Sequence, residues 1–153
     1  MADTYSQIYI HIVFAVKGRA GLIHPAWEER LYQYVTGMVQ NQKQKMIAIN
    51  GMPDHVHLLI GIKPSCCLSD LVREVKKSSN DFIKDNGLTK YKFAWQEGYG
   101  AFSYSHSQLK DVISYILNQK KHHRQKTFKE EYLEFLEKFN IEFEGKYLFN
   151  WIE

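Results

Sequence analysis

Two histidines separated by a single residue stand in "PDHVHLLI" (53–60), and a tyrosine and a glutamine four residues apart stand in "DVISYILNQKKHHRQK" (111–126). Strand side chains alternate between faces, so His55, His57 and Leu59 share one face, while Val56, Leu58 and Ile60 share the other. Adjacent imidazoles on one strand face are spaced to grip one divalent ion, but two ligands do not complete a metal site and a third must come from elsewhere. For such a pair alone, structural or exposed histidines are the commoner explanation. In 111–126, at about 100° per residue, Val112, Ile113, Ile116 and Leu117 form the apolar side of a helix. Tyr115 and Gln119 fall together off that side, stacked at i and i+4. A tyrosine held there can present its hydroxyl to something outside the helix, although a surface amphipathic tyrosine has the same pattern.

The elements that must position these groups alternate along the chain. "QIYIHIVFAV" (7–16) is β-branched and aromatic and reads as a strand. Pro25 suits a first helical turn, with Trp27, Leu31, Tyr34, Val35 and Met38 at helical spacing after it. "KMIAIN" and "HVHLLIGI" are two strands joined by the turn "GMPD", in which Asp54 is a turn residue. Leu68, Leu71, Val72, Val75, Phe82 and Ile83 mark a second helix that stops at Gly87. Residues 93–105 read as a fourth strand weakened by Gly98 and Gly100, and a third helix begins near Gln108. Thr127 and Glu130 form a capping box for a last helix with the stripe Phe128, Tyr132, Phe135, Leu136 and Phe139. The order β-α-β-β-α-β followed by helices is the α+β, ferredoxin-like split βαβ pattern: an antiparallel sheet with helices on one face and a C-terminal helical extension carrying the tyrosine. Val56, Leu58 and Ile60 are expected on the helix-covered face and the histidines on the other.

Length and charge narrow the classes. A chain of 153 residues is expected to be one domain, 1–153, with a catalytic core over about 5–125 and a C-terminal helix and acidic tail over 126–153. No run approaches the roughly 18 apolar residues of a membrane span, and the opening residues have no signal-peptide pattern. Cys66 and Cys67, adjacent and alone, suit a reducing compartment, so the protein is expected in the cytoplasm. Residues 1–129 carry 18 Lys/Arg against 10 Asp/Glu, and residues 130–153 carry 2 against 7, so a body of net +8 precedes a tail of net −5. Such a body suits a polyanionic partner, although a charge run is as often only a solvated face.

Taken together, "PDHVHLLI" and a helical Y-x-x-x-Q some 60 residues later resemble the HUH single-tyrosine transposases of the insertion-sequence 200/605 group. "YIHIVFAV" with its basic loop and "WQEGYGAFSYS" before the tyrosine helix extend the resemblance over about residues 5–150. It implies that His55 and His57 hold a divalent metal ion, Mg²⁺ or Mn²⁺, with Gln119 as third ligand and Tyr115 as nucleophile. It also implies single-stranded DNA with hairpins at element ends as substrate, cleaved and rejoined through a 5′-phosphotyrosine that leaves a free 3′-OH. A homodimer is implied as well, the tyrosine helix of one subunit serving the histidines of the other, and the protein would associate with the nucleoid when acting on DNA. Exchange of one phosphoester for another needs no ATP, and no G-x-x-x-x-G-K-[ST] loop is present, so no nucleotide cofactor is expected.

Lys17 and Arg19 after the first strand, and Lys120, Lys121 and Arg124 beyond Gln119, are placed to hold DNA phosphates. Tyr99, Phe102 and Tyr104 are candidates for stacking on bases, and Arg73, Lys76 and Lys77 are a further basic group. His11, His24 and His106 receive no role. Two other readings stand beside the transposase: a non-catalytic, domesticated single-stranded nucleic-acid-binding module on the same fold, and a metal-dependent hydrolase without a covalent step.

Overall fold

The computed structural model describes residues 4–122, 126–139 and 141. Its elements are β1 (Tyr9–Ala15), α1 (Pro25–Asn41), β2 (Lys45–Met52), β3 (His55–Gly61), α2 (Leu68–Asp85), β4 (Gly100–Tyr104), α3 (Leu109–Leu117), α4 (Gln119–His122) and α5 (Phe128–Lys138). The strands form one sheet in the order β2-β3-β1-β4, antiparallel throughout, as a split βαβ arrangement requires. Local chemistry sets the boundaries. Pro25 opens α1, where His24 accepts a hydrogen bond from the Ala26 N–H at its Nδ1. Gly87 takes φ +57° two residues beyond α2, and Thr127 Oγ1 accepts from the Glu130 N–H at the start of α5.

Both faces of the sheet are covered. On one, Ile12 and Phe14 of β1 and Val56, Leu58 and Ile60 of β3 pack with Leu31, Val35 and Val39 of α1 and Leu71, Val72 and Val75 of α2. The other face was expected to lie free of helices, and here the C-terminal extension closes it. Phe128, Tyr132, Phe135 and Leu136 of α5 bury Val13, Ala15 and Phe102, while Val112 and Ile116 of α3 bury Ala48 and Leu59. The central strands are therefore apolar in both directions except where histidines interrupt them. No helix among the described residues is long and apolar enough to cross a membrane.

Three local expectations fail for identifiable reasons. The fourth strand begins only at Gly100; before it, Trp95 makes a single bridge to Val16. Gly98 turns the chain away at φ +84°, and the Lys76 ammonium supplies the partners that the sheet does not, donating to the carbonyls of Gln96 (2.8 Å) and Gly98 (2.6 Å). Burial brings the Lys76 pKa down to about 8. Tyr115 and Gln119 do not share one continuous helix. Asn118 ends α3, its side-chain amide donating to the Ser114 carbonyl (2.8 Å) in competition with its own backbone N–H, and Gln119 opens α4. Leu117, placed by periodicity on the packed side, is 58% exposed, because the chain turns out of the helix directly after it.

The turn that launches β3 is tightly held. The carbonyls of Pro53 and Asp54 accept from the N–H groups of Ile23 and Val16, and Gly51 passes so close to β3 that an added Cβ would collide with the His55 carbonyl oxygen. Gly51→Ala is therefore expected to destabilise the fold by about 1–3 kcal/mol, as overpacking does. Thermal unfolding checks this; an unchanged midpoint would mean that the β2–β3 pair relaxes freely at this point.

Candidate metal and nucleophile site

Strand β3 places His55 and His57 on the face under α3 and α5, and neither side chain has any exposed surface. The ring nitrogens of each histidine divide between an anchor and a shared centre. His55 Nδ1 lies 2.7 Å from Asp54 Oδ1, and His57 Nδ1 lies 2.8 Å from His11 Nε2. Both Nε2 atoms face one carboxylate oxygen, Glu131 Oε1, at 3.5 Å from His55 and 3.0 Å from His57. Gln119, fully buried, brings its Oε1 to 3.3 Å from His55 Nε2 and donates from Nε2 to Glu131 Oε2 at 3.3 Å. Tyr115 donates its hydroxyl to that same Oε2, and its ring meets His57 edge-on at 5.9 Å between centroids. The four expected residues, His55, His57, Gln119 and Tyr115, thus converge within one chain.

The electrostatics follow from burial and from the carboxylates of Asp54 and Glu131. Burial is the largest influence on His55 and opposes its charging, but the hydrogen bonds that its ring donates to Asp54 and Glu131, with the charges of those carboxylates, outweigh it and raise its pKa. His11 is driven well below the ordinary histidine value, first by burial and then by the neighbouring His57. Burial, then the Glu131 carboxylate, push the Tyr115 phenol well above its usual range, so with the site closed it remains protonated. A groove of about 320 Å³ opens beside it between α3 and α5, edged by Asp111, Glu131 and Glu134 with Lys138 as the cation. A phosphodiester entering this acidic setting needs added positive charge.

The residues fit a divalent cation. One ligand atom from each of His55, His57 and Glu131 lies within 4.8 Å of the others, all three residues are buried, and the Gln119 amide oxygen stands alongside. Two imidazole nitrogens with carboxylate and amide oxygens form a mixed set that suits Mn²⁺ better than the oxygen-seeking Mg²⁺.

Three members of this site escaped the sequence reading. Glu131 lies three residues after Phe128 and four before Phe135, so a carboxylate inside the apolar stripe of α5 was its visible signal. Asp54, read as a turn residue, also orients His55, and His11 supports His57 from the neighbouring strand. Among the expected DNA contacts, Lys17 and Lys121 are exposed, whereas Lys120 is engaged with Glu28 (3.0 Å) and the Gly51 carbonyl (3.2 Å). The Arg19 side chain, Arg124 and the acidic tail from 142 on lie outside the described residues. Phe102 is not available to stack on bases: it is 2% exposed, with its ring against Phe135 and Phe139.

The family model described as "Transposase IS200 like" matches residues 4–119. A solved candidate transposase from Deinococcus radiodurans R1 superposes with a TM-score of 0.64 at 22% identity, covering 78% of this chain and 95% of its own. A REP-associated tyrosine transposase, solved bound to a REP hairpin, superposes with a TM-score of 0.56 at 16% identity, covering 77% of this chain and 70% of its own. No curated protein matches the sequence. At these identities the two structures speak for the shared fold alone.

Proposed function

Because the chain belongs to the IS200-like transposase family, we propose that it cleaves and rejoins single-stranded DNA at insertion-element ends through a phosphotyrosine intermediate. The observation that carries this reading is the convergence of one phenol and two imidazoles on a single buried carboxylate. Hairpin DNA is the proposed partner, in keeping with the hairpin bound by one fold relative. Lys17 and Lys121, and Arg19 and Arg124, are proposed phosphate contacts, while Lys120 would first have to release Glu28. The protein is taken as one cytoplasmic domain, and because Glu131 belongs to the site, its catalytic part extends beyond residue 125 through α5.

In the proposed reaction the Tyr115 oxygen attacks the scissile phosphorus. The new P–O bond forms as the P–O3′ bond breaks, the phenol proton passes to Glu131, and the 3′-oxygen leaves as a hydroxyl after taking up a proton. Attack by a second 3′-hydroxyl on the phosphotyrosine reverses these steps, returns a proton to Tyr115 and seals a new strand without spending ATP. His55, His57, Glu131 and Gln119 would hold the divalent ion; when bound, it supplies positive charge to the scissile phosphate. Asp54 keeps the His55 Nε2 aimed at the centre. Since both imidazoles are fully covered, DNA reaches them when the α3–α5 groove, already open beside Tyr115, widens.

Glu131→Gln keeps the shape of the side chain but cannot take the phenol proton. It is expected to slow adduct formation by about 10²–10⁴-fold, the usual contribution of a general base. Single-turnover cleavage measures this; faster cleavage would instead identify Glu131 as a group that only blocks the site.

The family resemblance implies a homodimer with exchanged tyrosine helices, but here Tyr115 stands beside the histidines of its own chain, and we assign catalysis to a single chain. Mixing Tyr115→Phe protein with His57→Ala protein is accordingly expected to restore no cleavage. Recovery of a substantial part of wild-type activity in the mixture would establish exchanged sites. The decisive experiment for the function itself incubates the chain with labelled single-stranded hairpin DNA and Mn²⁺, denatures it, and looks for a labelled protein band.

A further inference from the structure

We infer that His11 is a positioning residue that sets the tautomer of His57 and so tunes the affinity of the two-histidine centre for a divalent cation. The inference rests on the reading of His57 as a ligand. His11 lies on β1, where Val13 pairs with His57 and His11 itself pairs with Leu59, so it stands diagonally across the strands from His57 on the site face. It is wholly buried, stacks on His57 at 5.0 Å between centroids with 26° between the planes, and bonds His57 Nδ1 at 2.8 Å. Its other nitrogen, Nδ1, has no hydrogen-bond partner among the described residues, and the ring also contacts Phe102, Tyr104 and Phe135. An apolar residue would fill this space without stranding a polar atom. The contact with His57 gives a reason for an imidazole at this position.

A neutral imidazole carries one ring proton. For His57 to offer the lone pair of Nε2 to a cation, that proton must sit on Nδ1, and the acceptor there is His11 Nε2. When His57 Nε2–H instead donates to Glu131, Nδ1 is bare and His11 Nε2–H donates to it. A single atom of His11 must therefore both accept and donate without moving. Imidazole nitrogen can do both. A leucine or phenylalanine can do neither and would leave the His57 Nδ1–H unpaired in an apolar enclosure, disfavouring the tautomer that binds a cation.

The test is Mn²⁺ titration calorimetry on the wild-type chain, His11→Phe, His11→Gln and His57→Ala, with thermal melts of each. His11→Phe is expected to weaken Mn²⁺ binding by about 10–100-fold, the usual effect of removing such a support, and His11→Gln, whose amide can accept at the same place, to recover most of the loss. Nitrogen NMR of the wild-type chain with diamagnetic Zn²⁺ is expected to show the His57 proton on Nδ1. If His57→Ala abolishes binding while His11→Phe binds like the wild type, the role of His11 falls and the metal reading stands. If His57→Ala also binds like the wild type, both fall. Should His11→Phe fail to fold, NMR of the wild-type chain decides, and a His57 proton on Nε2 in the presence of Zn²⁺ overturns the inference.

Discussion

Tyr115→Phe is expected to abolish the covalent protein–DNA adduct and to lower strand cleavage on the order of 10⁴-fold or more, the scale on which loss of a nucleophile is felt, while retaining hairpin binding. The substitution removes one oxygen and leaves the ring in its contacts with His57 and, edge-on at 5.7 Å, with Phe135. Glu131 Oε2 keeps its hydrogen bond from Gln119, so the carboxylate is not stranded and the fold is expected to hold. Denaturing electrophoresis with labelled hairpin DNA and Mn²⁺ reads the adduct, and a binding assay on the same samples reads the hairpin. An adduct that survives would place the nucleophile elsewhere. Cleavage that persists in Tyr115→Phe, with no adduct in the wild type, would favour a hydrolase, and hairpin binding without cleavage in the wild type would favour a domesticated binding module.

His57→Ala is the second large effect, and it acts on both chemistry and stability. It removes one imidazole from the proposed cation site and is expected to cost cleavage about 10³-fold, the rate equivalent of several kcal/mol of charge stabilisation. It also takes from the buried His11 Nε2 its hydrogen-bond partner, at about 1–3 kcal/mol for a group left unsatisfied, and from Glu131 Oε1 the nearer of its two imidazoles. The variant should therefore melt lower as well as fail to bind Mn²⁺. A chain that melts normally and cleaves normally would remove the histidine pair from the mechanism.

Much of this was legible in the chain itself because local and tertiary preferences agree. The alternation of Val56, Leu58 and Ile60 with the histidines assigned the faces of β3, and Pro25, Gly87 and Thr127 marked helix ends by backbone chemistry alone. What escaped depends on contacts distant in sequence. The loss of strand at 93–99 depends on Lys76 reaching across from α2, and the helix break before Gln119 on a side-chain amide competing for a carbonyl. Glu131 stood out as a carboxylate inside an apolar stripe, but its role comes from what lies across α5, not from its own neighbours. The covered second face was missed for the same reason: the stripe of α5 announced burial without saying against what.

The register of β1 against β3, which sets Val13 opposite His57 and Ala15 opposite His55, joins folding to chemistry through parity. Sliding β3 by a single residue would deliver the imidazoles into the greasy layer of α1 and α2 and turn three aliphatic side chains towards Tyr115. No chain can satisfy its hydrophobic core and misaim its histidines at the same time. The water-driven sorting that assembles the sheet thus also aims the reactive centre, and a misregistered molecule is a poorly folded one.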